Sequence, residues 1–202
     1  GEMLVKLGRL QRDQGNQAQA LDYYEQARAL AQSVSDPALQ AQALENIARL
    51  QRDAGDVAQA LQTYQEALTL AQESGNLPLE ERALTNIGRF YRDTGQLTQA
   101  LDYYQQVLVK ARSAANPQAE ASALDNLARL QRDGGQWDEA LATYQAVLVL
   151  AQTLEDLPLQ LATQRNIAKT YSNLSRYAEA TTTYEELLAT AKAKADRALE
   201  AN

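Results

Sequence analysis

Nine of the 19 lysines and arginines fall in two columns that recur every 40 residues. One holds Arg9, Arg49, Arg89, Arg129 and Lys169; the other holds Arg12, Arg52, Arg92 and Arg132. The chain as a whole carries a net charge of −7, so about half of its positive charge is gathered on this stripe. A guanidinium is planar, permanently charged and forked, and it matches a carboxylate through two parallel hydrogen bonds. The chemistry open to such a stripe is recognition of an acidic segment or of a free C-terminal carboxylate. Arg82 stands on the same stripe of the third copy, and Asn46, Asn86, Asn126 and Asn166 recur beside it, with Asn86 and Asn126 placed to reach peptide amides or carbonyls.

Bond-making chemistry has little to work with. The sequence has no His and no Cys, which removes the commonest general base and metal ligand, the thiolate nucleophile, thiolate zinc sites and disulfides. The carboxylate pairs Glu80-Glu81, Asp138-Glu139 and Glu185-Glu186 are adjacent in sequence and point apart on a helix, so they read as solvated charges. No phosphate-binding loop or nucleophile motif is present, so the expectation is a non-enzyme with no cofactor and no metal. The acidic balance argues against nonspecific binding to nucleic acid or to anionic membrane. No run of 18 apolar residues occurs and the N-terminus does not read as a signal peptide. The expected location is therefore cytoplasmic.

The stripe is positioned by the period itself. Gly8-Arg9-Leu10-Gln11-Arg12-Asp13 returns as Ala48 to Asp53, Gly88 to Asp93 and Ala128 to Asp133, with a fifth, diverged copy at Ala168-Lys169-Thr170-Tyr171. Five tandem units follow, approximately 1–36, 37–76, 77–116, 117–156 and 157–195, with 196–202 the start of a sixth helix pair or a cap. A period of this size marks units that cannot bury their apolar face alone and must stack. Within one unit, apolar residues at spacings of three and four predict a first helix from Pro37 and a second through Val57, Ala60, Leu61, Tyr64 and Ala67. Each is about 25 Å long at 1.5 Å per residue. Asp36 with Pro37 starts the first helix, Gly55 ends it, and Asp56 or Asn16 should cap the second. A short turn makes the two antiparallel neighbours. Ala20, Ala60, Ala100, Ala140 and Ala180 form a small-residue column that implies close helix contact, as does the column of Gly8, Ala48, Gly88, Ala128 and Ala168. Tyr24, Tyr64, Tyr104, Tyr144 and Tyr184 read as core rings with the hydroxyl hydrogen-bonded or wetted at the edge.

Leu44, Ile47, Ala48 or Gly88, Tyr91, Ala60, Tyr64 and Ala67 stand in the order and spacing of the tetratricopeptide repeat (TPR), and the resemblance covers the whole chain. Two departures are visible. The period is 40 rather than the usual 34, which resembles the longer subclass. The proline expected after the second helix is missing near Gln72, while Pro37, Pro78, Pro117 and Pro158 stand at the next helix start. The resemblance implies an all-α, TPR-like α-solenoid, a right-handed superhelix of helix-turn-helix units whose first helices line a concave, peptide-binding groove. It makes the stripe similar to the carboxylate-binding face of chaperone-docking members, although those use Lys and Asn where Arg stands here.

Two functions remain open at this stage. The first is a protein-interaction scaffold that binds a protein or peptide along the first-helix face, with Arg49, Arg52, Arg82, Asn86, Arg89, Arg92, Asn126, Arg129, Arg132 and Lys169 as the candidate contacts. Unit three is the expected centre, because its stripe of Arg82, Arg89 and Arg92 contains no acid. The second is a spacer or oligomerising fragment with no peptide ligand, of natural origin or an engineered excision from a longer array. On that reading the ladder is structural: arginine near a helix C-terminus suits the macrodipole, and Asp13, Asp53, Asp93 and Asp133 lie four residues after Arg9, Arg49, Arg89 and Arg129.

Overall fold

The structure, a computed structural model, describes residues 1–200, with side chains through Ala193. Ten α-helices account for the regular structure of the described residues, and no strand occurs among them. They are α1 (Glu2–Asp13), α2 (Gln17–Ser33), α3 (Pro37–Asp53), α4 (Val57–Glu73), α5 (Leu77–Asp93), α6 (Leu97–Ser113), α7 (Pro117–Asp133), α8 (Trp137–Thr153), α9 (Leu157–Asn173) and α10 (Tyr177–Glu200). The expected start of a further unit over 196–202 lies outside the residues whose side chains are described. From α2 onward each helix begins 20 residues after the last, so the 40-residue period is two helices of equal pitch. The residues form two compact units, Gly1–Tyr103 and Tyr104 onward.

Every turn between helices is closed by one residue in the left-handed conformation. Inside each pair it is Gly15, Gly55, Gly95, Gly135 or, in the last pair, Ser175 at φ 58°. Between pairs it is Gly75 once and otherwise Ser35, Ala115 and Glu155, at φ of 53°, 49° and 54°. The bonds explain the requirement: Asn116 N–H reaches back to Ala111 O at 2.9 Å and Ala115 N–H to Arg112 O at 3.0 Å, the paired pattern that satisfies the last free carbonyls of a helix.

The two kinds of helix start differently. Asp36, Asn76, Asn116 and Asp156 each accept a hydrogen bond from the backbone N–H three residues on, with a proline in the first turn. Asn16 and Asp56 occupy the cap position of α2 and α4, but their side chains accept no cap bond, contrary to expectation. Their backbone sits near ψ 65° and 61°, outside the extended range from which a cap side chain folds back onto the helix. Asn16 instead donates to Gln11 Oε1 at 2.8 Å.

In the first unit, Ala20, Tyr24, Ala27 and Ala31 of α2 share a core with Ala43, Ile47 and Leu50 of α3, and Ala60 and Tyr64 of α4 share one with Ile87 and Phe90 of α5. In the second, Ala140, Leu141 and Tyr144 of α8 pack with Ala128 of α7 and Ile167 of α9. The small columns are fully buried: Ala20, Ala60, Ala100 and Ala140 have no exposed surface, and Ala180 is 4% exposed. Gly8 shows how close the approach is, since a Cβ there would stand 2.4 Å from Cε1 of Tyr24. The hydroxyls of Tyr24 and Tyr144 are buried with no hydrogen-bond partner among the described residues, so the expected polar anchor is not made. Tyr184 departs from its column, with 41% of its surface exposed.

One joint within each pair varies. Gln51 and Thr63, and likewise Gln131 and Thr143, are hydrogen-bonded at 2.8 Å. In the third pair the same two positions are Tyr91 and Tyr103, stacked with ring centroids 5.5 Å apart. The first pair has Gln11 and Tyr23, and the last has Tyr171 and Thr183, with the Arg176 guanidinium 4.7 Å above the Tyr171 ring.

Candidate peptide-binding face

The first-helix stripe of the first unit lines a cleft of about 380 Å³. Five guanidinium groups border it, those of Arg12, Arg49, Arg52, Arg89 and Arg92, together with Asp53, Asp93, Tyr64 and Asn86. The two arginine columns behave differently. The Arg12 column is neutralised by the aspartate directly after it: Arg12–Asp13 at 2.8 Å, Arg52–Asp53 at 3.0 Å and Arg92–Asp93 at 2.8 Å, with Arg132–Asp133 at 3.0 Å in the second unit. This corrects the expected pairing of Asp53 with Arg49, four residues earlier. Both residues of each pair sit at the helix C-terminus, where Nε and Nη2 of Arg52 grip one carboxylate oxygen together. Asp93 also receives Arg52 at 3.1 Å and so joins α3 to α5.

The Arg49 column is not held by these aspartates. Arg49 donates to Asn86 Oδ1 at 3.3 Å, a neutral partner. Arg49 and Arg89 are half-buried and make no ion pair among the described residues. In the second unit Arg129 stands 3.9 Å from Asp125, a loose pairing one helical turn away. Lys169 is exposed and borders a separate cleft of about 310 Å³ with Arg132, Ser172 and Tyr184.

Unit three's own stripe carries no acid, but an acid of unit two reaches it. Arg82 donates through Nε to Glu45 Oε1 at 3.0 Å. Glu45 is itself only 4% exposed, and burial pushes its carboxyl up from the ordinary value although Arg82, Arg49 and Asn86 pull it down. The carboxylate comes from α3, 37 residues earlier, so the helix that carries Arg82 gives no hint of it. The asparagines turn inward: Asn46 donates to Gln42 O at 2.7 Å and Asn126 to Ser122 O at 3.0 Å, one turn back on their own helices. Both amides are therefore engaged in holding the helix surface.

Tyr64 was not anticipated at this face. Its side chain is 2% exposed and lines the cleft floor, and burial raises its hydroxyl above the ordinary value against the pull of Arg52 and Arg49. Its core spacing concealed this edge position. Among the described residues no group of three potential metal ligands occurs, and no helix is long and apolar enough to cross a membrane.

Family models described as tetratricopeptide repeat match residues 4–38 and, in overlapping segments, 39–113, 79–148 and 119–193. A comparison with curated proteins returns no match. Among solved structures, BtubC (BKLC) from P. vanneervenii superposes with a TM-score of 0.79 at 21% identity, over 96% of this chain and 80% of that one. A Podosopora anserina putative kinesin light chain with nearly identical TPR-like repeats gives 0.74 at 21% identity, over 97% and 96%. The Rap conjugation gene regulator of the plasmid pLS20, in complex with the Phr* peptide, gives 0.73 at 17% identity, over 96% of this chain and 53% of that one. With the helix pairs, the small-residue columns and the family match spanning nearly every residue, this chain belongs to the tetratricopeptide repeat family and is an all-α TPR-like solenoid.

Proposed function

We propose that the chain is a protein-interaction scaffold whose first-helix face takes an acidic peptide segment, with Arg49 and Arg89 as the principal contacts. The observation that carries this reading is the difference between the two cationic columns. Arg12, Arg52, Arg92 and Arg132 each hold an aspartate of their own helix, whereas Arg49 and Arg89, which border the cleft beside Arg12, Arg52 and Arg92, make no ion pair among the described residues, and the buried Glu45 acts on Arg49 only through space. A half-buried guanidinium interacts with a carboxylate more strongly than a fully solvated one, because fewer waters screen it. Asp53 and Asp93 hold Arg52 and Arg92 in place as walls of the cleft. Fold-level likeness to a Rap regulator that carries a peptide supports a peptide partner by analogy alone. On this reading Arg82, Asn126 and Arg132 act as framework, and Arg129 and Lys169 are the corresponding column positions of the second unit.

The test is fluorescence anisotropy with a labelled Asp/Glu-rich decapeptide, carrying either a free or an amidated C-terminus. Arg89→Glu should weaken binding about tenfold or more, the scale of one charge-assisted bond. Lys192→Glu removes the same charge from an exposed site on α10 and should change affinity by less than about twofold. Raising salt should weaken the wild-type complex. Equal effects from the two variants would leave net charge as the only determinant and return the ladder to a structural role.

A further inference from the structure

The charges around the arginine cleft of the first unit can be matched one by one. Arg12, Arg52 and Arg92 are each held by the aspartate that follows, at 2.8, 3.0 and 2.8 Å. Arg52 also reaches Asp93, so these carboxylates are shared within the group. The buried Glu45 is held by Arg82 at 3.0 Å. Two charges are left over, the guanidiniums of Arg49 on α3 and Arg89 on α5. They border one cleft from neighbouring first helices, half-buried, with no ion pair among the described residues. The hydrogen-bond partner of Arg49, Asn86 Oδ1 at 3.3 Å, is neutral. All of these residues lie inside the unit Gly1–Tyr103.

Size and charge narrow the occupant. A cleft of about 380 Å³ stands near the lower end of small-ligand sites, which span about 300–1,000 Å³, so it has room for one headgroup of a bound segment. A single carboxylate would match one guanidinium and leave the other. Carboxylates on adjacent residues of an extended segment point to opposite sides and cannot both enter. A phosphomonoester carries close to two negative charges at neutral pH and offers three strong acceptor oxygens. We propose that the group seated between Arg49 and Arg89 is a phosphomonoester borne by a hydroxyl side chain of the bound peptide. The inference rests on the acidic-peptide reading above and names the residue that reading leaves open, a phosphoserine or phosphothreonine where the segment crosses α3 and α5. The Tyr64 hydroxyl on the cleft floor is a further donor; burial raises it above the ordinary value, so it keeps its proton at neutral pH.

The experiment is fluorescence anisotropy of the full chain with one labelled acidic decapeptide made in two forms, with Asp or phosphoserine at its centre. At about pH 7.5 the phosphoserine form should bind about tenfold tighter, the scale of one added charge-assisted bond. At about pH 5.5 the phosphate lies below its second pKa near 6, and the gap should shrink to about threefold, while the Asp form reports any titration of the protein itself. Arg49→Gln and Arg89→Gln should each bring the two forms within about twofold of one another with helicity by circular dichroism unchanged, and Lys192→Gln, on the exposed side of α10, should leave the gap intact. Inorganic phosphate should displace the peptide only at about millimolar concentration. Equal affinity of the two forms, with both weakened by Arg89→Glu, would overturn this inference and leave the acidic-peptide reading standing. A gap that survives in both Gln variants or stays whole at the lower pH would overturn it too, as would displacement by micromolar inorganic phosphate, which marks a site for the free ion. Failure of both forms to bind would overturn both readings.

Discussion

Three of the four turns that join successive helix pairs hold a side-chain-bearing residue where the backbone calls for glycine, and replacing those residues should stabilise the protein. Ser35, Ala115 and Glu155 have φ of 53°, 49° and 54°, and all three are exposed. An L-residue in this conformation costs about 1–2 kcal/mol, because Cβ crowds the following carbonyl. Glycine avoids that cost but carries a more mobile unfolded chain, a penalty of about 0.4–1 kcal/mol. The balance for Ala115→Gly is a gain of about 0.5–1 kcal/mol. No packing is lost, since at Gly75, the fourth turn, a Cβ would meet no atom within 4 Å. The reverse change, Gly75→Ala, should destabilise by the same amount for the same reason. The triple variant Ser35→Gly, Ala115→Gly, Glu155→Gly should gain about 1.5–3 kcal/mol if the distant sites add. At about 2–4 °C per kcal/mol for a chain of this length, thermal unfolding by circular dichroism would rise by roughly 3–12 °C. A triple variant that melts at or below the wild-type temperature, or a Gly75→Ala variant that melts unchanged, would refute the reasoning from backbone strain.

Two further outcomes follow from the helix starts and the core rings. Asp36→Ala removes a side chain that accepts from the Leu39 N–H at 3.0 Å and should cost about 1 kcal/mol, while Asp56→Ala, where no cap bond is made, should cost only a few tenths; urea denaturation of the two variants reads the difference. Burial pushes the Tyr144 hydroxyl up to about 12, so the folded state holds this proton where the unfolded chain begins to release it near 10. Its contribution to stability is complete below pH 10 and is lost as pH rises to 12, and absorbance at 295 nm should show this phenol ionising with unfolding rather than before it.

The helix pairs were readable from the period, because each unit copies both the apolar spacing and the turn residues, and glycine at 15, 55, 95 and 135 marks a backbone that few other residues adopt. The turns at Ser35, Ala115 and Glu155 were less visible, since their residues carry no conformational signature and only the returning hydrogen bonds impose the left-handed form. The arginine stripe was legible as a stripe, but its division into a column paired with adjacent aspartates and a column with other partners was not. Helical geometry favours Arg49 with Asp53; at the last residue of the helix the adjacent Arg52 reaches that carboxylate instead. Glu45 and Arg82 meet only because α3 and α5 are brought together, and a contact across 37 residues has no local trace. The asparagine column is not uniform: the amides of Asn46 and Asn126 close onto their own backbone, whereas Asn86 lines the cleft and accepts from Arg49, and recurrence alone does not separate these uses.

The variable joint within each helix pair has a bearing on how such a chain can diverge after its units are copied. The positions can hold a hydrogen-bonded glutamine and threonine, as at Gln51 and Thr63, or two stacked rings, as at Tyr91 and Tyr103. Passing from one solution to the other takes two substitutions, and a population must survive the half-changed form between them. Both halfway forms stand in this chain: Gln11 beside Tyr23 in the first pair, and Tyr171 beside Thr183 in the last. In each a neighbour engages the unmatched group, Asn16 donating to Gln11 and Arg176 lying over the Tyr171 ring. The four combinations thus form a connected route of single steps, none of which forces the joint through an uncompensated state. A tandem array can hold every stage of such a route at once, because a pair that carries an intermediate is flanked by others that do not.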